Sequence, residues 1–274
     1  MAALIVIPAR FAATRLPGKP LLRQTGKFLV QHVYERAKRC RLASDVVIAT
    51  DDARILEAAR RFRGQAVLTS PTHASGTDRI AEVAMQSAFA RFNILVNVQG
   101  DEPEMDPTTV DAVIRRLQDH PAVPMATAAA PFSDVADIVR PEVVKVVLDQ
   151  HSCALYFSRS VIPHDRDGVL PTRPVDSAAV RPAATDGSSD WRKSYRQHMG
   201  LYAYRRQLLL ELAKTPPCAL EQLEKLEQLR ALYLGARILV VDVPCPSRGI
   251  DTPADYAAFV ERYRRRGQHR VLTR

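Results

Sequence analysis

The stretch Ala3-Leu4-Ile5-Val6-Ile7-Pro8-Ala9-Arg10 decides the fold of this chain. Leu4–Ile7 is an unbroken apolar run, the mark of a strand covered on both faces, and such strands belong to parallel sheets flanked by helices. Working outward, Asp45–Thr50, Gln65–Thr69 and Ile94–Val98 read as further strands. Helical lengths separate them. Phe28–Cys40 carries Leu29, Val30, Val33 and Ala37 at helical spacing, and Thr50-Asp51-Asp52 starts a helix over Ala53–Phe62. Ser75 and Asp78 have capping-box spacing and open a helix to about Phe89, and Pro107 sits in the first turn of another that runs to Leu117. Alternation of this kind predicts an α/β fold with a mostly parallel, doubly wound sheet.

The second half is more mixed. Met125–Pro131, Val143–Leu148, Ala154–Phe157 and Met199–Tyr204 are strand-like, and the last of these precedes a helix through Leu212. Leu220–Leu232 reads as one helix, Ile238–Val243 as a last strand and Pro253–Arg265 as a last helix. Residues 166–196 are rich in Pro, Ser, Asp and Arg without periodicity, which predicts a long loop or flap.

The chain has 274 residues, 46% hydrophobic and 25% charged, enough to bury a core without staples. No apolar window is long enough to span a membrane, and the N-terminus lacks the basic region of a signal peptide. Cys40, Cys153, Cys218 and Cys245 form no C-x-x-C pair, so zinc and thioredoxin-like chemistry have no support; reduced, mostly buried thiols in a cytoplasmic protein are expected. The net charge of +9 invites a nucleic-acid reading. Yet residues 261–274 hold six arginines against one glutamate, so +5 of that excess sits on the terminal helix, where a solvated face accounts for it. The aromatic fraction of 6% also disfavours a stacking platform for single strands.

In open α/β sheets ligands bind beyond the carboxyl ends of the strands. After the first strand come Arg10, Arg15 and Lys19, three cations within ten residues, suited either to wrapping a polyphosphate or to a solvated connection. The loop matches neither G-x-G-x-x-G nor a P-loop, because Pro20 follows Gly18-Lys19. After the fourth strand, Gln99-Gly100-Asp101-Glu102-Pro103 places an acid pair where Mg²⁺ would be held against phosphates, or where a carboxylate caps the next helix. Asp251, in Gly249-Ile250-Asp251-Thr252-Pro253, has the same two readings, and spacing alone favours the cap. Thr69–Asp78 offers hydroxyls and a glycine at a helix start, suited to a ribose or a base edge.

Taken together, IPARFAATRLPGKPL (7–21), VVIATDD (46–52), TSPTHASGTDRIAEV (69–83), NVQGDEP (97–103), VVKVVLD (143–149), ALYFSRSVIPHDRD (154–167), HMGLYAYR (198–205), LEQLEKLEQLR (220–230) and GIDTP (249–253) resemble the 3-deoxy-manno-octulosonate cytidylyltransferases, or CMP-Kdo synthetases. The resemblance implies a three-layer α/β fold of the nucleotide-diphospho-sugar transferase, Rossmann-like type, with a mostly parallel mixed sheet and a smaller strand-containing flap and dimerisation region. One cytidylyltransferase domain would span 1–274. Residues 1–135 would be mainly its nucleotide-binding half, 136–235 the sugar-binding and dimerisation part, and 236–274 the return to the core sheet.

The implied reaction is CTP plus Kdo to CMP-Kdo and diphosphate, for the inner core of lipopolysaccharide. Arg10 and Lys19 would meet the triphosphate with Arg15 nearby, and Asp101 and Asp251 would bind Mg²⁺. Pro8 and Ala9 would read cytosine through their backbone, and Ser75, Gly76 and Gln99 fall on the nucleotide side. The sugar acid would be met by Arg159, Arg166, His198, Tyr202, Glu221, Glu224 and Gln228. Of these, Glu221, Glu224 and Gln228 lie on one face if 220–232 is a single helix; the plainer reading is a solvated face, with Leu220, Leu223, Leu226 and Leu229 packed on the other side. The resemblance further implies a homodimer that engages no nucleic acid and no membrane. The same transfer to 8-amino-Kdo or a neuraminic acid is the alternative, with a basic nucleic-acid-binding module more distant.

Overall fold

A computed structural model describes residues 1–12, 16–73, 75–166 and 191–272. In chain order the elements are β1 (Ala3–Ala9), α1 (Leu29–Ala37), β2 (Asp45–Thr50), α2 (Ala53–Arg61), β3 (Ala66–Leu68), α3 (Gly76–Met85), β4 (Ile94–Asn97) and α4 (Pro107–Asp119). There follow β5 (Met125–Pro131), β6 (Lys145–Leu148), β7 (Ala154–Ser158), α5 (Trp191–Ser194), β8 (Arg196–Arg205), α6 (Arg206–Lys214), α7 (Ala219–Glu224), α8 (Gln228–Tyr233), β9 (Ile238–Asp242) and α9 (Pro253–Leu272). They fall into two compact units, residues 1–114 with 247–274, and residues 115–246.

The first unit is built on parallel strands in the order β3-β2-β1-β4. With β2 on one side and β4 on the other, Ala3–Ile7 are wholly buried, as an apolar run without alternation requires. α1 packs on β1 and β2, and α3 on β1, β2 and β4. The capping box at Ser75 and Asp78 forms as expected: the Ser75 hydroxyl accepts from the Asp78 N–H at 3.1 Å, and the Asp78 carboxylate accepts from the Ser75 N–H. The last helix, α9, runs past Arg265 to Leu272 and lays Tyr256, Phe259 and Val260 against Leu29 of α1 and Ile250.

The second unit is a mixed sheet. β5 pairs antiparallel with β8 and parallel with β9, and β6 pairs antiparallel with β7 and β8. Of the flap expected over 166–196, residues 167–190 lie outside those described, and 191–194 form α5.

The single helix expected over 220–232 is instead two. Lys225 turns left-handed (φ 54°, ψ 47°) and ends α7, its N–H donating to the Glu221 carbonyl at 2.7 Å. The apolar spacing that suggested continuity is divided: Leu226 and Leu229 are buried, whereas Leu220 and Leu223 face outward, Leu223 at 83% exposure. Glu221, Glu224 and Gln228 therefore do not share one continuous helical face.

Candidate active site

At the carboxyl ends of β1 and β4 the chain converges on one ammonium group. Lys19 Nζ donates to Asp101 Oδ2 at 2.6 Å, to the Ile250 carbonyl at 2.7 Å and to Asp251 Oδ1 at 3.3 Å. The backbone sets this geometry. The Ile250 N–H donates to the Asp101 carbonyl at 3.0 Å, so the two acid-bearing loops are stitched together. Ile250 is itself buried in the α1–α9 core, which fixes Asp251 beside it. Gly100 is required for the approach of β1 to the Asp101 loop, because a Cβ there would stand 2.5 Å from the Pro8 carbonyl oxygen. Gly18, just before Lys19, has φ 67°, and its N–H closes the loop onto the Phe11 carbonyl at 3.1 Å.

The capping readings of both acids give way to other residues. Thr252 and Asp255 cap α9: the Asp255 N–H donates to Thr252 Oγ1 at 3.2 Å, and Asp255 Oδ2 accepts from the Thr252 N–H at 2.8 Å. At α4 the Thr108 N–H donates to Asp106 Oδ1 at 3.0 Å. Asp251, which spacing alone favoured as a cap, therefore directs its carboxylate to Lys19, as does Asp101.

Surrounding contacts brace the loop. Ser247 Oγ donates to Glu102 Oε2 at 2.5 Å, and desolvation pushes the Glu102 carboxyl up to about 7 against that hydrogen bond, with nearby Asp101 adding to the rise. Arg262 of α9 donates to Glu104 Oε2 at 2.9 and 2.6 Å, Arg266 stands 3.1 Å from Glu104 Oε1, and Arg36 donates to the Met105 carbonyl at 2.8 Å. The terminal arginines are thus more than a solvated face. Sequence reading missed this clasp because Glu104 and Arg262 lie 158 residues apart.

Pro8 and Ala9 end β1 in register with Ala49 and Thr50, and partly buried Arg10 follows. Ser75 and Gly76 lie at the start of α3, and partly buried Gln99 follows β4 by two residues. Arg15 lies outside the described residues.

Several of the residues expected to meet the sugar acid hold the second unit together. Glu221 and Arg230 form a buried two-pronged ion pair at 2.6 and 2.8 Å, and Arg230 also donates to the Leu212 and Thr215 carbonyls. Glu224 accepts from Ser158 Oγ at 2.6 Å and the Arg159 N–H at 2.9 Å, and Arg159 Nε donates to the Glu224 carbonyl at 2.6 Å. His198 is buried, hydrogen-bonded through Nε2 to Thr127 Oγ1 at 3.0 Å, with its ring 4.8 Å from Phe157 and 5.4 Å from Tyr202. Burial holds His198 down to about 3 and pushes the Tyr202 hydroxyl well above its ordinary value. Gln228 is buried with Nε2 unpartnered among the described residues, and Arg166 is exposed.

The chain as a whole is similar to known proteins. A family model for cytidylyltransferases matches residues 4–238. A 3-deoxy-manno-octulosonate cytidylyltransferase of Geobacter sulfurreducens is 48% identical over 257 residues, covering 94% of this chain and 97% of that protein. Another, from Pseudomonas syringae pv. tomato, is 46% identical over 262 residues, with 95% and 96% covered. Among solved structures, a CMP:2-keto-3-deoxy-manno-octonic acid synthetase complexed with CTP matches with a TM-score of 0.83 at 38% identity, over 97% of this chain and 100% of that one. A putative glucose-1-phosphate thymidylyltransferase from Bacillus anthracis, 14% identical over 96% of each chain with a TM-score of 0.63, shares the fold alone. The chain belongs to the cytidylyltransferase family, among the 3-deoxy-manno-octulosonate cytidylyltransferases.

Proposed function

We propose that this protein transfers CMP from CTP to the anomeric hydroxyl of 3-deoxy-D-manno-octulosonate, releasing diphosphate and giving CMP-Kdo for the inner core of lipopolysaccharide. The observation that carries the reading is the convergence of Asp101, Asp251 and Lys19 at the ends of parallel strands, in a chain related to enzymes of this activity over nearly its whole length. In-line attack of a hydroxyl on the α-phosphorus asks mainly for positioning and charge neutralisation. Arg10 and Lys19, with Arg15, would neutralise the triphosphate. The backbone of Pro8 and Ala9 would hold the cytosine, and Ser75, Gly76 and Gln99 the nucleoside.

Mg²⁺ fits the donor set. Two carboxylates already surround one cationic group, and Mg²⁺ commonly takes one or two carboxylates plus substrate phosphates and waters. Asp101 and Asp251 would hold it. Bound there, the ion supplies charge to the phosphate oxygens and acidifies the sugar hydroxyl.

On the sugar side, Arg166 supplies a cation for the acid carboxylate and Gln228 an amide for a hydroxyl. Arg159, His198, Tyr202, Glu221 and Glu224 complete the set, chiefly by holding α7, α8 and the strands in place through the bonds described above. A homodimer is part of the reading, supported by the exposure of Leu155, Leu220, Leu223, Tyr233 and Leu234 on the second unit. Among the described residues no helix is long and apolar enough to cross a membrane, in keeping with a cytoplasmic site of action.

The test is diphosphate release with CTP, Mg²⁺ and a panel of sugar acids. Activity that needs all three components and prefers Kdo over 8-amino-Kdo and a neuraminic acid supports the assignment. Preference for either analogue moves it to that sugar, and equal use of UTP overturns the cytosine reading.

A further inference from the structure

The arginines of α9 carry charge that the proposed reaction does not use. Two of them, Arg265 and Arg266, line a pocket of about 670 Å³ whose walls come from α1, α9 and the turn holding Pro103 and Glu104, all within the first unit. Five of its lining side chains are cationic and two are acidic, and Lys19, Asp101 and Asp251 are not among them. Both acids are already engaged. Glu35 accepts from Lys27 at 2.5 Å, and Glu104 is shared between Arg262 at 2.6 Å and Arg266 at 3.1 Å. Arg265 pairs with Glu261. Arg36 donates only to the neutral carbonyls of Met105 and Glu104, and the Arg39 guanidinium has no hydrogen-bond or ion-pair partner among the described residues. Arg36, Arg39 and one of the two arginines that share Glu104 are thus left without a carboxylate.

These cations stand close enough to repel one another. Burial, and then the charges of Arg39 and Arg266, pull the Arg36 guanidinium below its ordinary value, with Asp106 and Glu104 opposing. Like charges around a concavity focus an attractive field on anions, and a guanidinium fork matches a phosphate or carboxylate through paired N–H donors. The rest of the wall is aromatic: His32 meets Tyr263 and Phe259 edge-on, at ring-centroid distances of 4.8 and 5.2 Å. His32 is bonded through Nε2 to Thr25 Oγ1 at 2.6 Å, and burial followed by Lys27 holds it down to about 4 against Glu35, so near neutral pH it adds no charge. A concave site of this volume, part apolar wall and part convergent charge, has the character of a small-molecule site.

We propose that this pocket binds a small organic anion bearing two or more negative charges, its anionic groups held by Arg36, Arg39 and Arg266 and its carbon frame set against Tyr263. Phosphate and carboxylate groups share the chemistry that guanidiniums recognise, and the experiment separates them. The site uses no residue assigned to CTP, Kdo or Mg²⁺, so it stands or falls apart from the proposed reaction.

The experiment is calorimetric titration of the full chain with fructose bisphosphate and, separately, with citrate. The natural protein should bind at least one of them, more weakly as salt is raised, and the tighter of the two assigns phosphate or carboxylate as the preferred group. Arg39 and Arg266 are exposed and hold no backbone group among the described residues, so Arg39→Ser with Arg266→Ser should unfold close to the natural temperature. The pair of substitutions should weaken binding at least about tenfold, and Arg39→Ser alone, which breaks no ion pair among the described residues, about threefold. Arg10→Ser, in the loop assigned to the triphosphate, should leave the titration unchanged. Failure of both probes to bind, binding that survives the double substitution, or binding lost in Arg10→Ser would overturn the proposal.

Discussion

Lys19 occupies the place between two carboxylates where a divalent cation is proposed to sit, and this makes a counterintuitive prediction about Lys19→Met. Its ammonium takes Asp101 Oδ2 at 2.6 Å and Asp251 Oδ1 at 3.3 Å, with side-chain exposures of 13% for Lys19, 29% for Asp101 and 48% for Asp251. Metal binding must turn those oxygens away from the ammonium and tolerate a positive charge close by. A unit charge and a divalent ion 4 Å apart interact by about 8 kcal/mol at an effective dielectric of about 20. A flexible lysine recovers part of that by swinging aside, and exposed Asp251 is screened, so removal of the charge should return about 1.4–2.8 kcal/mol. Lys19→Met should therefore bind Mg²⁺ or Mn²⁺ about ten- to a hundredfold more tightly in the absence of nucleotide. The assay is calorimetric titration of chelator-treated protein. The same variant should lose turnover, because Lys19 is also assigned to the triphosphate. Metal affinity equal to or weaker than that of the natural protein would refute the placement of the ion at Asp101 and Asp251.

Four further outcomes follow from the geometry. Glu221→Ala should cost about 3–5 kcal/mol in urea unfolding by stranding buried Arg230; a weakened sugar KM at unchanged stability would instead make Glu221 a substrate ligand. Gly100→Ala should destabilise by about 1–3 kcal/mol and depress activity, since its Cβ meets the Pro8 carbonyl at 2.5 Å; a fully active, equally stable variant would contradict that contact. Ser75→Ala should cost about 1 kcal/mol of thermal stability through the lost α3 cap. His198 is held down to about 3 and His32 to about 4, chiefly by burial, so unfolding exposes groups that bind protons more readily. Their contribution is complete above the unfolded value of about 6.5 and is lost as pH falls from there toward 4, each histidine contributing up to about 1.4 kcal/mol per pH unit. A flat stability profile across that window would show that both rings are reachable by protons in the folded state.

Much of the first unit was legible before the structure. Apolar runs, a Ser-x-x-Asp start and turn residues are local signals, and β1, β2, β4 and the α3 cap fall close to where they point. Leu220–Leu232 misled because spacing reports which residues repeat but not where a helix stops. The left-handed Lys225 divides the segment, and nothing in that residue type announces it. For the acids the sequence left two roles open, and spacing favoured for Asp251 a cap that Thr252 and Asp255 form instead.

The sequence by itself determined the class of fold, the family, and the loops in which acids and cations would lie, because all of these are written in short windows and in their order along the chain. Tertiary structure alone decided the partners. It sent Asp101 and Asp251 to a lysine 82 and 232 residues away, gave the caps to Asp106 and to Thr252 with Asp255, and turned Glu221 toward Arg230. Among the described residues it also left Asn97 Oδ1 enclosed without a donor. The physical reason is that a charge or a hydrogen-bonding group is satisfied by whatever packing brings within about 3 Å, and that distance depends on the whole core rather than on neighbours in the chain.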